Sequence, residues 1–133
     1  MGLTIRAKGM SDEDSFDCGY IIFGQFRIGL AKAYNPEFGD LYERWYHSEE
    51  LSRTELNTMM RLCGSGIGHF LFHIDCDGRL TSQECRQIYN DIKDLHMDMK
   101  GRNYGNMKPY NMLDHWKAMF KYCADHRVNM WFG

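Results

Sequence analysis

The chain is short of several things, and each shortage closes a class of function. Its 133 residues contain no 18-residue apolar run, which excludes a membrane-spanning helix by length. The opening MGLTIRAKG has no apolar stretch of the kind that directs export. Met-Gly is followed by Arg6 where N-myristoylation wants Ser or Thr, so that lipid anchor is not expected either. There is no CxxC pair, which excludes a zinc ribbon, and the five cysteines are an odd number without an export signal. Reduced thiols follow rather than a disulfide framework. No nucleophile elbow, phosphate-cradling glycine loop, internal repeat or low-complexity segment is found. The expectation is a soluble, cytoplasmic protein with no membrane partner.

What is present is a globular composition, 44% hydrophobic and 14% aromatic, in a length that suits one domain over residues 1–133. The net charge of −2 conceals a polarity. Residues 1–85 carry 13 acids against 8 Lys and Arg, whereas residues 86–133 carry 5 against 8. Such a dipole permits electrostatic steering, but its overall pattern does not suggest a nucleic-acid binder.

The densest chemistry lies in His73–Glu84, HIDCDGRLTSQE. Asp75, Asp77, Gly78, Leu80, Thr81 and Glu84 fall at positions 3, 5, 6, 8, 9 and 12 of an EF-hand loop, with His73 in place of the first carboxylate. A hard divalent cation needs several oxygens converging from a tight turn, and a glutamate on the next helix closes the site. Imidazole at the first position suits zinc better than calcium. The spacing therefore makes His73, Asp75, Asp77 and Glu84 candidate ligands of one divalent ion, zinc or calcium, with His69 and Cys76 as weaker ones. His69 and His73 at i and i+4 would share a helix face. The same residues have a metal-free reading. Thr81 and Glu84 form a capping box, and Asp-Cys-Asp-Gly turns a chain without any ion. Cys76 between two aspartates would have its thiol pKa raised, the wrong direction for a nucleophile.

Periodicity supplies the rest. Residues 3–7 alternate as a strand, and 11–19 read as an acidic loop. A helix is predicted from Tyr20 to Asn35 with Phe23, Phe26, Leu30 and Ala33 on its buried stripe. Arg27 lies within that run. It either keeps its head in water along the flank or is buried against an acid of the 11–17 loop or Asp75. Asn35-Pro36 restarts a helix to Tyr46. Ser52 and Glu55 cap the next one, whose stripe is Leu56, Met59, Met60 and Cys63. A short helix over 66–73 leads into the focal turn. Cys85, Ile88, Ile92 and Leu95 make the core face of the helix beyond it. Leu113, Trp116, Phe120 and Cys123 do the same for a last helix over 110–127, where Cys123 and His126 also form a weak ligand pair. Residues 128–132 alternate again and are expected to pair with residues 3–7. The predicted fold class is α+β, mainly α: four to five helices with a two-stranded sheet joining the chain ends.

The MGL start, FGQFRIGLA at 23–31 and HIDCDGRLTSQEC at 73–85 together resemble an uncharacterised family of small bacterial and phage-type proteins. Phe23, Phe26, Arg27, Leu30, Ala31, His73, Asp75, Cys76, Asp77, Gly78 and Cys85 stand at the family's positions, and Ile74 replaces its usual serine. The resemblance implies one shared fold and no assigned activity. Its phage-like setting suits a small non-enzymatic interaction protein, concretely an anti-CRISPR-like inhibitor that grips a host defence nuclease. An EF-hand-like or zinc-binding regulatory module is the alternative, and a small enzyme of unknown reaction the second. The long 97–109 segment has little to bury, and its Lys100, Arg102, Tyr104 and Lys108 are the candidate partner-binding residues.

Overall fold

Alternation at the two ends of the chain and helical periods between them become a small antiparallel sheet backed by helices. The computed structural model describes residues 2–10, 16–73, 78–97 and 109–133. Its elements run β1 (Gly2–Ala7), β2 (Phe16–Gly19), α1 (Tyr20–Tyr34), α2 (Pro36–Tyr46), α3 (Arg53–Leu62), α4 (Ser65–Leu71), β3 (Arg79–Leu80), α5 (Ser82–Ile92), α6 (Pro109–His126) and β4 (Met130–Phe132). The chain ends do pair, with Ile5 opposite Phe132 and Ala7 opposite Met130. Two further strands extend the sheet to the order β2-β1-β4-β3, and a sixth helix is present. Phe16–Gly19, read as loop, is strand because β1 pairs with it from Gly2–Gly19 to Ile5–Phe16. Four residues are too few for alternation to announce itself.

One sheet face is apolar and buried: Ile5, Ala7, Leu80, Met130 and Phe132. Against it lies an aromatic core in which Phe70 meets Trp116 at 4.9 Å and Phe120 at 5.2 Å between ring centroids, while Phe23 meets Phe70 and Trp116 at 5.6 Å each. Helix α1 buries a face wider than its stripe, with Ile28 and Ala31 inside as well as Phe23, Phe26 and Leu30, whereas Ala33 is only half-buried. Such a helix is a central one. Arg27 is buried with it, only 4% exposed. Its guanidinium lies 4.2 Å from the Phe23 ring centroid and 5.5 Å from that of Phe70, which compensates part of its desolvation by cation–π attraction. The aqueous flank position is thus ruled out. Of the acids named as its buried partners, in the 11–17 loop and at Asp75, Asp17 is placed by its backbone on β2, and Asp12, Glu13, Asp14 and Asp75 lie outside the described residues.

Local signals set the helix starts. Asn35 accepts the Phe38 amide at 3.0 Å and Pro36 occupies the first turn of α2. Gly39 brings α2 so near α1 that a methyl there would overlap the Lys32 backbone. Ser52–Glu55 and Thr81–Glu84 are both complete capping boxes. The α3 stripe is a correction. Only Met59 is buried in that helix, Leu56 and Met60 are exposed, and Cys63 is its C-cap residue. Helix α3 packs at the periphery, mainly on α2, so one residue of its stripe suffices. Leu95 likewise falls beyond the end of α5 and is half-buried, while Cys85, Ile88 and Ile92 are fully buried.

Candidate functional site

The turn after α4 shows what the focal stretch does locally. Helix α4 ends at Leu71, so His73 has left the helix and the shared i, i+4 face with His69 is not formed. His73 instead lays its ring 4.5 Å from Phe132 and places Nε2 3.0 Å from the Arg79 carbonyl oxygen. Gly78 has φ of 90°, a left-handed conformation that glycine takes at no steric cost, and its carbonyl accepts the Phe132 amide at 3.0 Å. The turn is therefore tied to β4.

Glu84 is already committed. Its Oε1 accepts the Thr81 amide at 2.9 Å, Thr81 Oγ1 accepts the Glu84 amide at 3.2 Å, and Oε2 lies 3.1 Å from His69 Nδ1. The other nitrogen of His69 faces Gln87 Oε1 at 2.9 Å. Burial pushes the Glu84 carboxyl up, but the Thr81 amide and hydroxyl and the fields of His69 and His73 outweigh it, leaving the group below its ordinary value. So His69 and Glu84 are brought together while His73 turns to Phe132 and Arg79, each of the three with a hydrogen-bond partner of its own. Asp75, Cys76 and Asp77 lie outside the described residues, as do Lys100, Arg102, Tyr104 and Lys108. Among the described residues, no three His, Cys, Asp or Glu side chains form a group able to hold a metal ion.

Two concavities flank Tyr46 at the end of α2, one of them reaching His73. The Tyr46 ring fits over Gly24 of α1, where a methyl would overlap its hydroxyl. On one side is a cavity of about 490 Å³ whose wall includes Arg27, Trp45, Phe72 and His73. On the other is one of about 590 Å³ lined by Tyr20, Ile21, Gln25 and Ile28 among others. Both volumes fall within the ordinary range for ligand-binding clefts. Trp45 packs edge-on against Phe72 at 5.0 Å yet is 39% exposed, and Ile21 is 79% exposed. Beneath them Tyr42 donates to the Leu71 carbonyl at 2.7 Å. Burial raises the pKa of its phenol, against the opposite pull of Arg27.

No protein-family profile, curated protein or solved structure matches this chain. The reading of the site rests on its own geometry.

The thiols with described side chains are packing groups. Cys85 and Cys123 are fully buried and adjoin each other between α5 and α6. Burial first, and the Asp91 charge second, push the Cys63 thiol up. The pairing of Cys123 with His126 is not formed: His126 stacks on Tyr122 at 4.0 Å and places Nδ1 2.9 Å from the Tyr122 carbonyl. Sequence reasoning missed the Tyr46 surface. Position along the helix decided it, since Ile28 lies on the same face as Ile21, equally off the Phe23–Phe26–Leu30 stripe, and is buried.

Proposed function

We propose that this is a non-enzymatic binding protein whose recognition surface is the pair of cavities flanking Tyr46. The observation that carries the reading is that each cavity is bordered by an exposed apolar side chain, Ile21 at 79% exposure on one and Trp45 at 39% on the other, with Tyr46 shared between them. Isolated exposed apolar residues are ordinary. A Trp, a Tyr and an Ile bordering adjoining hollows are the composition of an interface anchor region. Among the described residues, the thiols fit a binding role, Cys85 and Cys123 being fully buried and Cys63 shifted away from reactivity. Glu84, held in its capping box, is poorly placed to act as a general base.

The partner we propose is a protein, and the phage-like sequence motifs make a host defence nuclease the first to test. Affinity capture from host extract with the native protein, Ile21→Glu and Trp45→Ala, all three shown to be folded, decides it. One polypeptide should be retained by the native chain and released by both variants. Equal retention by all three, or retention of nothing, would refute the surface.

A divalent ion at the 73–84 turn is a separate proposal. Its support is the contact of Glu84 Oε2 with His69 Nδ1 at 3.1 Å, together with the EF-hand-like spacing of the stretch.

A further inference from the structure

The second face of the sheet carries a pattern that neither the cavities nor the turn uses. Ile5, Phe132, Leu80 and Met130 point into the core, so the intervening positions point away from it. Those positions are Arg6 on β1, Trp131 on β4 and Arg79 on β3, all exposed. The register aligns them, with Arg6 opposite Trp131 on one side and Arg79 opposite Trp131 on the other. One indole therefore lies between two guanidinium side chains in a single row across three strands. Arg79 leans toward it, its Cζ 5.7 Å from the ring centroid, and the indole keeps 44% of its surface exposed. Lys8, also exposed, follows at the end of β1. Among the described residues, Arg6, Lys8 and Arg79 make no ion pair, whereas Lys32, Arg44, Arg86 and Lys121 do. The one acid within the strands, Asp17, stands opposite Thr4, a row away.

We infer that this sheet face binds single-stranded nucleic acid, one unstacked base lying on Trp131 and the flanking phosphates on Arg6, Arg79 and Lys8. An indole with 44% of its surface exposed offers a base somewhere to stack, and cations on both sides of it match a backbone that passes over the ring. A duplex buries its base faces and could use only the cations. An acidic peptide would use the arginines and leave the ring idle. The overall charge of −2 does not oppose this, since the cations are local to one row and few phosphates are engaged.

The test is fluorescence anisotropy of labelled ten-residue oligo-dT and oligo-U with the full chain, competed by heparin. With three cations on phosphates, affinity should fall about 20-fold between 50 and 200 mM salt. Arg6→Gln with Arg79→Gln should reduce that to about threefold. Trp131→Thr, which keeps a strand-forming residue, should weaken binding by roughly tenfold or more at constant salt. Should that variant fold poorly, protection of the Trp131 indole from acrylamide quenching by oligo-dT in a Trp45→Phe background reads the same contact. Absence of binding at 50 mM salt overturns the inference. So does binding that ignores Trp131 and is matched by heparin or duplex, which would mark a mere polyanion patch. A preference for oligo-U over oligo-dT would name RNA as the source.

Discussion

The N-cap of helix α4 is Gly64, a residue with no side chain to cap it, and the helix start is served from another helix. Asp91 of α5 accepts both the Gly66 amide, at 3.0 Å, and the Ile67 amide, at 2.9 Å, through one oxygen, Oδ2. Asp91→Ala should remove a cap, worth about 0.5–2 kcal/mol. It should also remove a negative charge at the positive end of the helix dipole, worth about 0.3–1 kcal/mol. No local group replaces it, and the approach of α4 to α5 is tight enough that a methyl on Gly66 would overlap the Gln87 carbonyl. A total of about 0.8–3 kcal/mol follows. In a chain of this size that is a fall of roughly 3–11 °C in Tm. Asp91→Asn keeps an acceptor oxygen and loses the charge, so it should cost about half as much. Urea denaturation followed by circular dichroism measures the free energies, and amide exchange at Gly66 and Ile67 should quicken in the same order. An Asp91→Ala protein within about 0.5 kcal/mol of the native one would refute the cross-helix cap.

Cys85→Ala should cost about 1–2 kcal/mol by emptying part of the α5–α6 seam; native-state reaction of Cys85 and Cys123 with a thiol reagent as fast as in urea would show the seam to be wrong. Arg44, chiefly, and then the Ser52 amide hold the Glu55 carboxyl down at about 2 against an ordinary 4.5. A folded-state pKa below the unfolded one stabilises fully above about pH 4.5 and loses that contribution as pH falls toward 2. Glu55→Gln should therefore flatten this stretch of the acid unfolding curve, and an unchanged curve would deny the Arg44 contact. If a divalent ion is bound at the 73–84 turn of the folded state alone, EDTA should lower the melting midpoint; no change on stripping, with no metal found by elemental analysis, would leave the capping box as the turn's sole organiser.

Much of the architecture was legible in the sequence because its signals act within one helical turn or one strand. Asn35-Pro36, Ser52 with Glu55 and Thr81 with Glu84 start helices through bonds spanning three residues, and the structure shows each. Cys85, Ile88 and Ile92, and Leu113, Trp116, Phe120 and Cys123, are buried as their spacing demands. Alternation in residues 3–7 and 128–132 was enough to pair the chain ends. In the focal turn the same local logic made Thr81 and Glu84 readable, while Asp75, Cys76 and Asp77 lie outside the described residues.

What the sequence could not decide are contacts between groups far apart along the chain. An i, i+4 relation between His69 and His73 presupposes a helix that lasts to residue 73, yet α4 stops at Leu71 and the second imidazole goes to Phe132 and Arg79. Arg27 reads equally well as a flank residue or a buried one; only the packing of Phe23, Phe70 and Tyr42 around it places the guanidinium inside. The cap that Asp91 gives α4 spans 25 residues. The meeting of Arg6, Trp131 and Arg79 depends on two strand registers joining three distant segments. Local chemistry determines where elements start and which face is apolar. Register, helix termination under packing and the burial of a charge are decided by partners that only the folded chain brings within reach.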